Sequence, residues 1–115
     1  MEFTQEFIEQ LKVNEVELCN RIADELAVSL KQVSAVVGLL ADGSTVPFIS
    51  RYRKEQTGSL DEVQVRSIER LFKSGMNLET RRIEIIRLIF EQGNLTEALY
   101  ENIIKAATLT ELEDI

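Results

Sequence analysis

The only proline in this 115-residue chain is Pro47, within the stretch GSTVPFISRYRKEQTGSL that runs from Gly43 to Leu60. Proline lacks a backbone donor, so it is tolerated in the first turn of a helix, where the N–H would have no intrahelical partner, and not further in. Thr45, two residues earlier, has a hydroxyl suited to capping a helix start. The spacing therefore predicts a short helix beginning near Val46. At 3.6 residues per turn, Phe48, Ile49 and Tyr52 share one side, expected to pack, while Ser50, Arg51, Arg53 and Lys54 take the other. Thr57, Gly58 and Ser59 end the segment, and Ser59 with Glu62 three residues on reads as the start of the next helix. No nucleophile in the stretch has a base beside it.

Because proline occurs nowhere else, helical periodicity runs uninterrupted through much of the chain. Asn14 with Glu17, and Ser29 with Gln32, are each a cap followed three residues later by a side chain able to reach back. They predict helices over about Glu15 to Ala27 and Leu30 to Asp42, with Gly43 as the left-handed residue that closes the second. Ala23, Ala27, Val33 and Val36 have the spacing of a helix-turn-helix, without the usual turn glycine. A recognition helix offers polar side chains to base edges from its early turns. Here these are Lys31, Gln32 and Ser34, a thin reading surface.

From Leu60 to Gln92 the pattern predicts one long helix, roughly 50 Å if unbroken. A compact domain of this length is only roughly 35 Å across. Ser74 and Gly75 are the one place it would kink. Thr96 then caps a helix over about Glu97 to Ala107, and a last turn lies near Thr110 to Ile115. Phe3, Phe7, Ile8 and Leu11 recur at helical spacing and predict a loosely packed amino-terminal helix within residues 1–13. The fold class is all-α: one irregular multi-helix domain over 1–115, with a helix-turn-helix-like core and one long helix.

Composition narrows the function. Thirteen basic and twenty acidic residues give a formal net charge of −7, which opposes non-specific attachment to a polyanion. The acidity gathers at both ends: residues 1–30 hold two cations against seven anions and residues 91–115 one against six, whereas residues 31–60 hold four against two. With no histidine and a single cysteine, Cys19, there is no disulfide, Cys–His dyad, Ser–His–Asp triad or zinc site of the usual kind. We expect no catalytic residues, no cofactor and no metal. A start of MEFTQEFIEQ is unlike a secretory signal and no run approaches a membrane span, so a cytoplasmic location follows as an expectation. Cys19, with no lysine or histidine near it in sequence, reads as a packed thiol. Arg51, Arg53 and Lys54 are the candidate contact for nucleic acid or another domain. With no exposed aromatic interleaved among them, a solvated face with Arg51 paired to Glu55 is the simpler reading.

The segment TVPFISRYRKEQTGSLDEVQVRSIE resembles the signature of the Tex family of transcription accessory proteins, which typically reads TVPFIARYRKE-TG-LD in the amino-terminal helical domain. IADELAVSLKQVSAVVGLLADG upstream and RRIEIIRLIFEQGNLTEAL and TLTELEDI downstream are similar to its flanking helices, so nearly the whole chain from about Asn14 is covered. The resemblance implies a fragment of a larger protein that continues past Ile115 into an RNase H-like domain, helix-hairpin-helix motifs and an OB-fold RNA-binding domain. It implies a non-catalytic scaffold module whose partners are the downstream domains, with nucleic acid bound through the intact protein. A free-standing helix-turn-helix DNA-binding or protein-interaction module is the alternative. In the long helix, Ile83, Ile86 and Phe90 lie on one side and Ile85, Leu88 and Ile89 on another. Part of the second side, Ile85, Leu88 and Ile89, is expected to stay open as an apolar interdomain face, giving the fragment weak self-association.

If Gly43 is held in the left-handed region, Gly43→Ala should lower stability by about 1 kcal/mol. An unchanged urea midpoint would show that the helix boundary is misplaced.

Overall fold

Most helices here begin at a residue whose side chain accepts a hydrogen bond from the unpaired N–H groups of the first turn. The computed structural model describes residues 3–115, and the described residues form eight helices and no strand. These are α1 (Gln5–Glu9), α2 (Glu15–Leu26), α3 (Leu30–Ala41), α4 (Val46–Tyr52), α5 (Lys54–Thr57), α6 (Glu62–Glu91), α7 (Glu97–Lys105) and α8 (Leu109–Glu113). Thr4, Asn14, Ser29, Thr45, Thr96 and Thr108 cap α1, α2, α3, α4, α7 and α8. Ser29 makes the full reciprocal box with Gln32.

The cap of α6 is displaced from its expected place. Ser59 is in the left-handed region at φ 67°, whereas an N-cap is normally extended. The reciprocal box lies two residues on. Asp61 Oδ1 accepts from Gln64 N–H and Gln64 Oε1 accepts from Asp61 N–H, at 2.8 and 3.1 Å.

α6 runs unbroken for 30 residues. A helix of that length, about 45 Å at its usual rise, outruns one small core. The chain accordingly divides into two compact units, Asn14–Gly75 and Met1–Val13 with Met76–Ile115. In the first, Leu18, Cys19, Ile22 and Ala23 of α2, Val33 and Val36 of α3, Val46 and Ile49 of α4, Leu60, and Val65 and Ile68 of α6 are buried. Gly75 does not interrupt the helix. Its missing side chain makes room for Leu18, whose Cδ1 would overlap a Cβ placed there.

α2 and α3 form the helix-turn-helix pair, joined by Ala27, Val28 and Ser29. Ala27 takes the place of the absent glycine and adopts the left-handed conformation itself, at φ 56° and ψ 42°, as Val28 N–H donates to the Ala23 carbonyl. At the far end of α3, Gly43 has φ 93°, its N–H donating to Leu40 and that of Ser44 to Leu39. This is the left-handed helix end that glycine favours.

The other unit has its own core of Ile8, Ile85, Ile86, Ile103, Ala106 and Leu112. Two expectations are corrected here. The amino-terminal helix is not a loose arm: Ile8 is buried, Phe7 and Leu11 pack on the core, and the Phe3 and Phe7 rings lie 5.0 and 6.0 Å from that of Tyr100. That helix supplies the second cover for this end of α6. Ile85 is consequently buried and Ile89 packs against the same core, so of Ile85, Leu88 and Ile89 only Leu88, 49% exposed, faces outward. Arg87 adds a bond from Nη2 to the Leu11 carbonyl at 2.9 Å.

Gly75→Ala is expected to destabilise by about 1–3 kcal/mol through overpacking against Leu18, although alanine favours helix by about 1 kcal/mol. Chemical denaturation followed by circular dichroism measures the sign; a gain in stability would show that Leu18 repacks freely.

Candidate functional site

The segment from Thr45 to Gly58 is built from its buried side outward. Thr45 Oγ1 accepts from Phe48 N–H at 3.3 Å, Pro47 lies in the first turn, and Val46, Ile49 and Ser50 are buried. Their spacing of three and four defines the packed face. A buried serine is acceptable where its hydroxyl finds a partner. Here its Oγ donates within the helix to the carbonyls of Val46 and Pro47, each at 3.1 Å.

This rotates the helix from the expected arrangement. Only Ile49 of the three supposed core residues is inside; Phe48 and Tyr52 are 38% and 61% exposed, beside an exposed Arg51. The two rings contact one another with centroids 5.3 Å apart at 50°. The helix breaks at Arg53 (φ −128°, ψ 30°), so the guanidinium turns back over the Phe48 ring, 4.7 Å from its centroid, and Nη1 donates to the Tyr52 carbonyl at 2.9 Å. The break also removes the four-residue helical spacing expected to pair Arg51 with Glu55. Among the described residues, Arg51, Arg53 and Lys54 form no ion pair with a carboxylate. By contrast, Arg66, Lys73, Arg81 and Arg82 do, with Glu62, Glu69, Glu84 and Glu79 respectively.

The turn after the cations is held from α3. Gln32 Oε1 accepts from Ser29 N–H at 2.9 Å, completing the α3 cap, while its Nε2 donates to the carbonyls of Thr57 and Gly58 at 3.0 and 3.4 Å. One amide thus joins the start of the second helix of the pair to the turn that ends the motif. A Cβ on Gly58 would lie 2.7 Å from that Nε2. Thr57 is fully buried and its Oγ1 has no hydrogen-bond partner. Gln32, one of the three base-reading candidates on α3, is therefore committed to structure, leaving Lys31 and Ser34 exposed on the early turns.

Sequence reasoning did not find the roles of Arg82 and Arg81. Arg82, 7% exposed, pairs with Glu79 at 2.9 Å and donates to the carbonyls of Ile103 and Ile104. A cation satisfying the last carbonyls of a helix closes the end of α7. The signal was Glu79 three residues earlier on one helix face. Arg81 donates to Glu113 at 2.8 Å and Glu84 at 3.2 Å, and these bonds hold the Glu113 carboxyl below and the Arg81 guanidinium above their ordinary pKa. Both are surface groups, where such pairs contribute little. Cys19 is buried, and burial followed by the charge of Glu15 raises its thiol pKa. That makes it a packed rather than a reactive cysteine. Among the described residues there is no group of three or more metal-ligating side chains.

A helix-turn-helix-like pair, followed by a capped, proline-started cationic segment whose closing turn is bonded to Gln32 of the pair, defines an all-α module. Residues 16–90 match the family model described as the Tex-like protein N-terminal domain, and the chain belongs to that family. It is 50% identical over 98 residues to the uncharacterized protein YdcI of Bacillus subtilis, covering 85% of this chain and 14% of that one. It is 42% identical over 94 residues to the transcriptional accessory protein Tex of Neisseria gonorrhoeae, covering 82% and 12%. A human protein named S1 RNA-binding domain-containing protein 1 is 29% identical over 80 residues, covering 70% and 8%. The chain thus spans about one seventh or less of the length of these relatives.

Replacing Gln32 by leucine should cost about 1–3 kcal/mol, because it leaves the Ser29 N–H and the Thr57 carbonyl without their partner. Thermal melting measures the loss. Gln32→Glu keeps the acceptor for Ser29 but sets a carboxylate against the Thr57 carbonyl, and should not restore stability.

Proposed function

We propose that this chain is a non-catalytic helical scaffold module of a Tex-like transcription accessory protein, supporting nucleic-acid binding, RNA above all, by domains that lie outside these 115 residues. The observation that carries the reading is the family match over residues 16–90 combined with coverage of only 12% of the gonococcal Tex protein and 8% of a relative named for an S1 RNA-binding domain. The net charge of −7 supports it, since a polyanion gains little from the module as a whole. Exposed Leu88, Ile104 and Leu109 are surfaces available to other parts of a longer polypeptide or, at high concentration, to a second copy. The cytoplasm is the compartment that this role requires. No helix among the described residues is long and apolar enough to cross a membrane.

Two measurements test the scaffold role. The chain alone, titrated into labelled duplex DNA at physiological salt, should bind no tighter than about 1 μM, the upper end of generic electrostatic attachment. In a full-length Tex-like protein, deleting the region that corresponds to residues 16–90 should lower the stability of the remainder while leaving its isolated RNA-binding domain active. Tight, sequence-selective duplex binding by the chain alone would replace this reading with that of a DNA-binding helix-turn-helix.

A further inference from the structure

The outward face of α4 and the residues after it combine cations with exposed rings. From Gly43 to Lys54 there is no carboxylate, and the three cations of the segment form no ion pair among the described residues, in a chain where acids outnumber bases by twenty to thirteen. Between them stand two exposed rings in mutual contact, one face of Phe48 covered by the Arg53 guanidinium and Tyr52 more than half exposed. Rings of this size are normally placed inside, and leaving two adjacent ones in water costs hydrophobic free energy that a bound partner would return. The platform is held from behind. Val46 and Ile49 fix its inner side, Ser50 is bonded within the helix, and Gln32 holds the turn after it.

We propose that this face binds single-stranded nucleic acid, with a base stacked on Tyr52, a second on the outer plane of the Arg53 guanidinium, and the phosphates between them held by Arg51 and Lys54. Unpaired bases offer two π-faces to rings and guanidinium planes, and the backbone between them needs unpaired cations. A duplex hides those faces in its own stack. An acidic protein segment would satisfy the charges but has no comparable use for two contacting rings. The net charge of the chain does not forbid the contact. The unit Asn14–Gly75, which carries this face, holds eight cations and nine anions and is close to neutral, so the excess of acid belongs to the other unit.

This goes beyond the scaffold reading, which assigns nucleic acid to other domains, and can fail without it. The test is fluorescence anisotropy of the chain with a labelled oligouridine of about 12 nucleotides, a length within the range one small domain covers. Saturable binding weaker than about 1 μM is expected, with the duplex form of a matched sequence bound more weakly still. Tyr52→Ala should weaken binding by about fivefold or more and Tyr52→Phe should preserve it, because the ring face is what stacks. Arg51→Gln with Lys54→Gln should reduce the salt slope by about 1.4, at about 0.7 per phosphate on a single strand. All three positions are exposed, so unchanged circular dichroism confirms the fold of each variant. Equal affinity for duplex and single strand, indifference to Tyr52→Ala, displacement of the oligouridine by an equal charge of polyglutamate, or no saturable binding up to about 1 mM would each overturn the proposal.

Discussion

A helix of 30 residues in a chain of 115 must be covered along its length by the short elements that remain. That constraint organises everything else. The residues of α6 up to Gly75 belong to one compact unit with α2 to α5, and those from Met76 to another, whose core draws on α1, α7 and α8. The amino-terminal segment is recruited to the second unit, far away in sequence, because the two apolar sides of α6 between Ile83 and Phe90 need more cover than the short helices after it supply. Closing so long a loop carries an entropic cost and slows folding. The α2–α3 pair, whose partners are neighbours in sequence, bears little of it.

Much of the architecture is legible in the sequence because helix termini are local chemistry. Thr45 with Pro47, Ser29 with Gln32, Thr96 and Gly43 each fix an end through groups within four residues, and the structure places those ends within a residue or two of where the sequence puts them. The rest depends on phase and on distant partners. The outward face of α4 is misjudged from sequence because Ser50 reads as polar enough to point to solvent, whereas its hydroxyl satisfies itself on the helix and follows Val46 and Ile49 inside. Arg53 cannot be placed on a helical wheel because the helix ends there. Likewise Ile85 looks uncovered because nothing local announces that Ile8 will join its core.

The motif itself separates into parts with different physical duties. Val46, Ile49 and Leu60 are core, Thr45 and Pro47 set a helix start, and Thr57 and Gly58 receive the Gln32 amide. Phe48, Arg51, Tyr52, Arg53 and Lys54, followed by the exposed Glu55 and Gln56, face outward, and the side-chain contacts that the first five make are with one another. A family resemblance over the whole segment therefore combines residues that folding requires with residues presented outward, and the structure is what sorts one from the other.

Ala27 shows how firmly the surroundings dictate to the backbone. It is one of two residues other than glycine held at positive φ among the described residues. An alanine there lies about 1 kcal/mol or more above its preferred conformations. That is on the order of a tenth of the stability of a typical domain. Its own side chain does not favour the turn, which is imposed by the packing of α2 against α3 and by the capping demand of Ser29. The α2–α3 corner is thus a point of local frustration tolerated inside an otherwise consistent landscape. Natural variation at position 27 would move most easily toward glycine, which has no side chain to resist the turn, and next toward asparagine, whose side chain tolerates it.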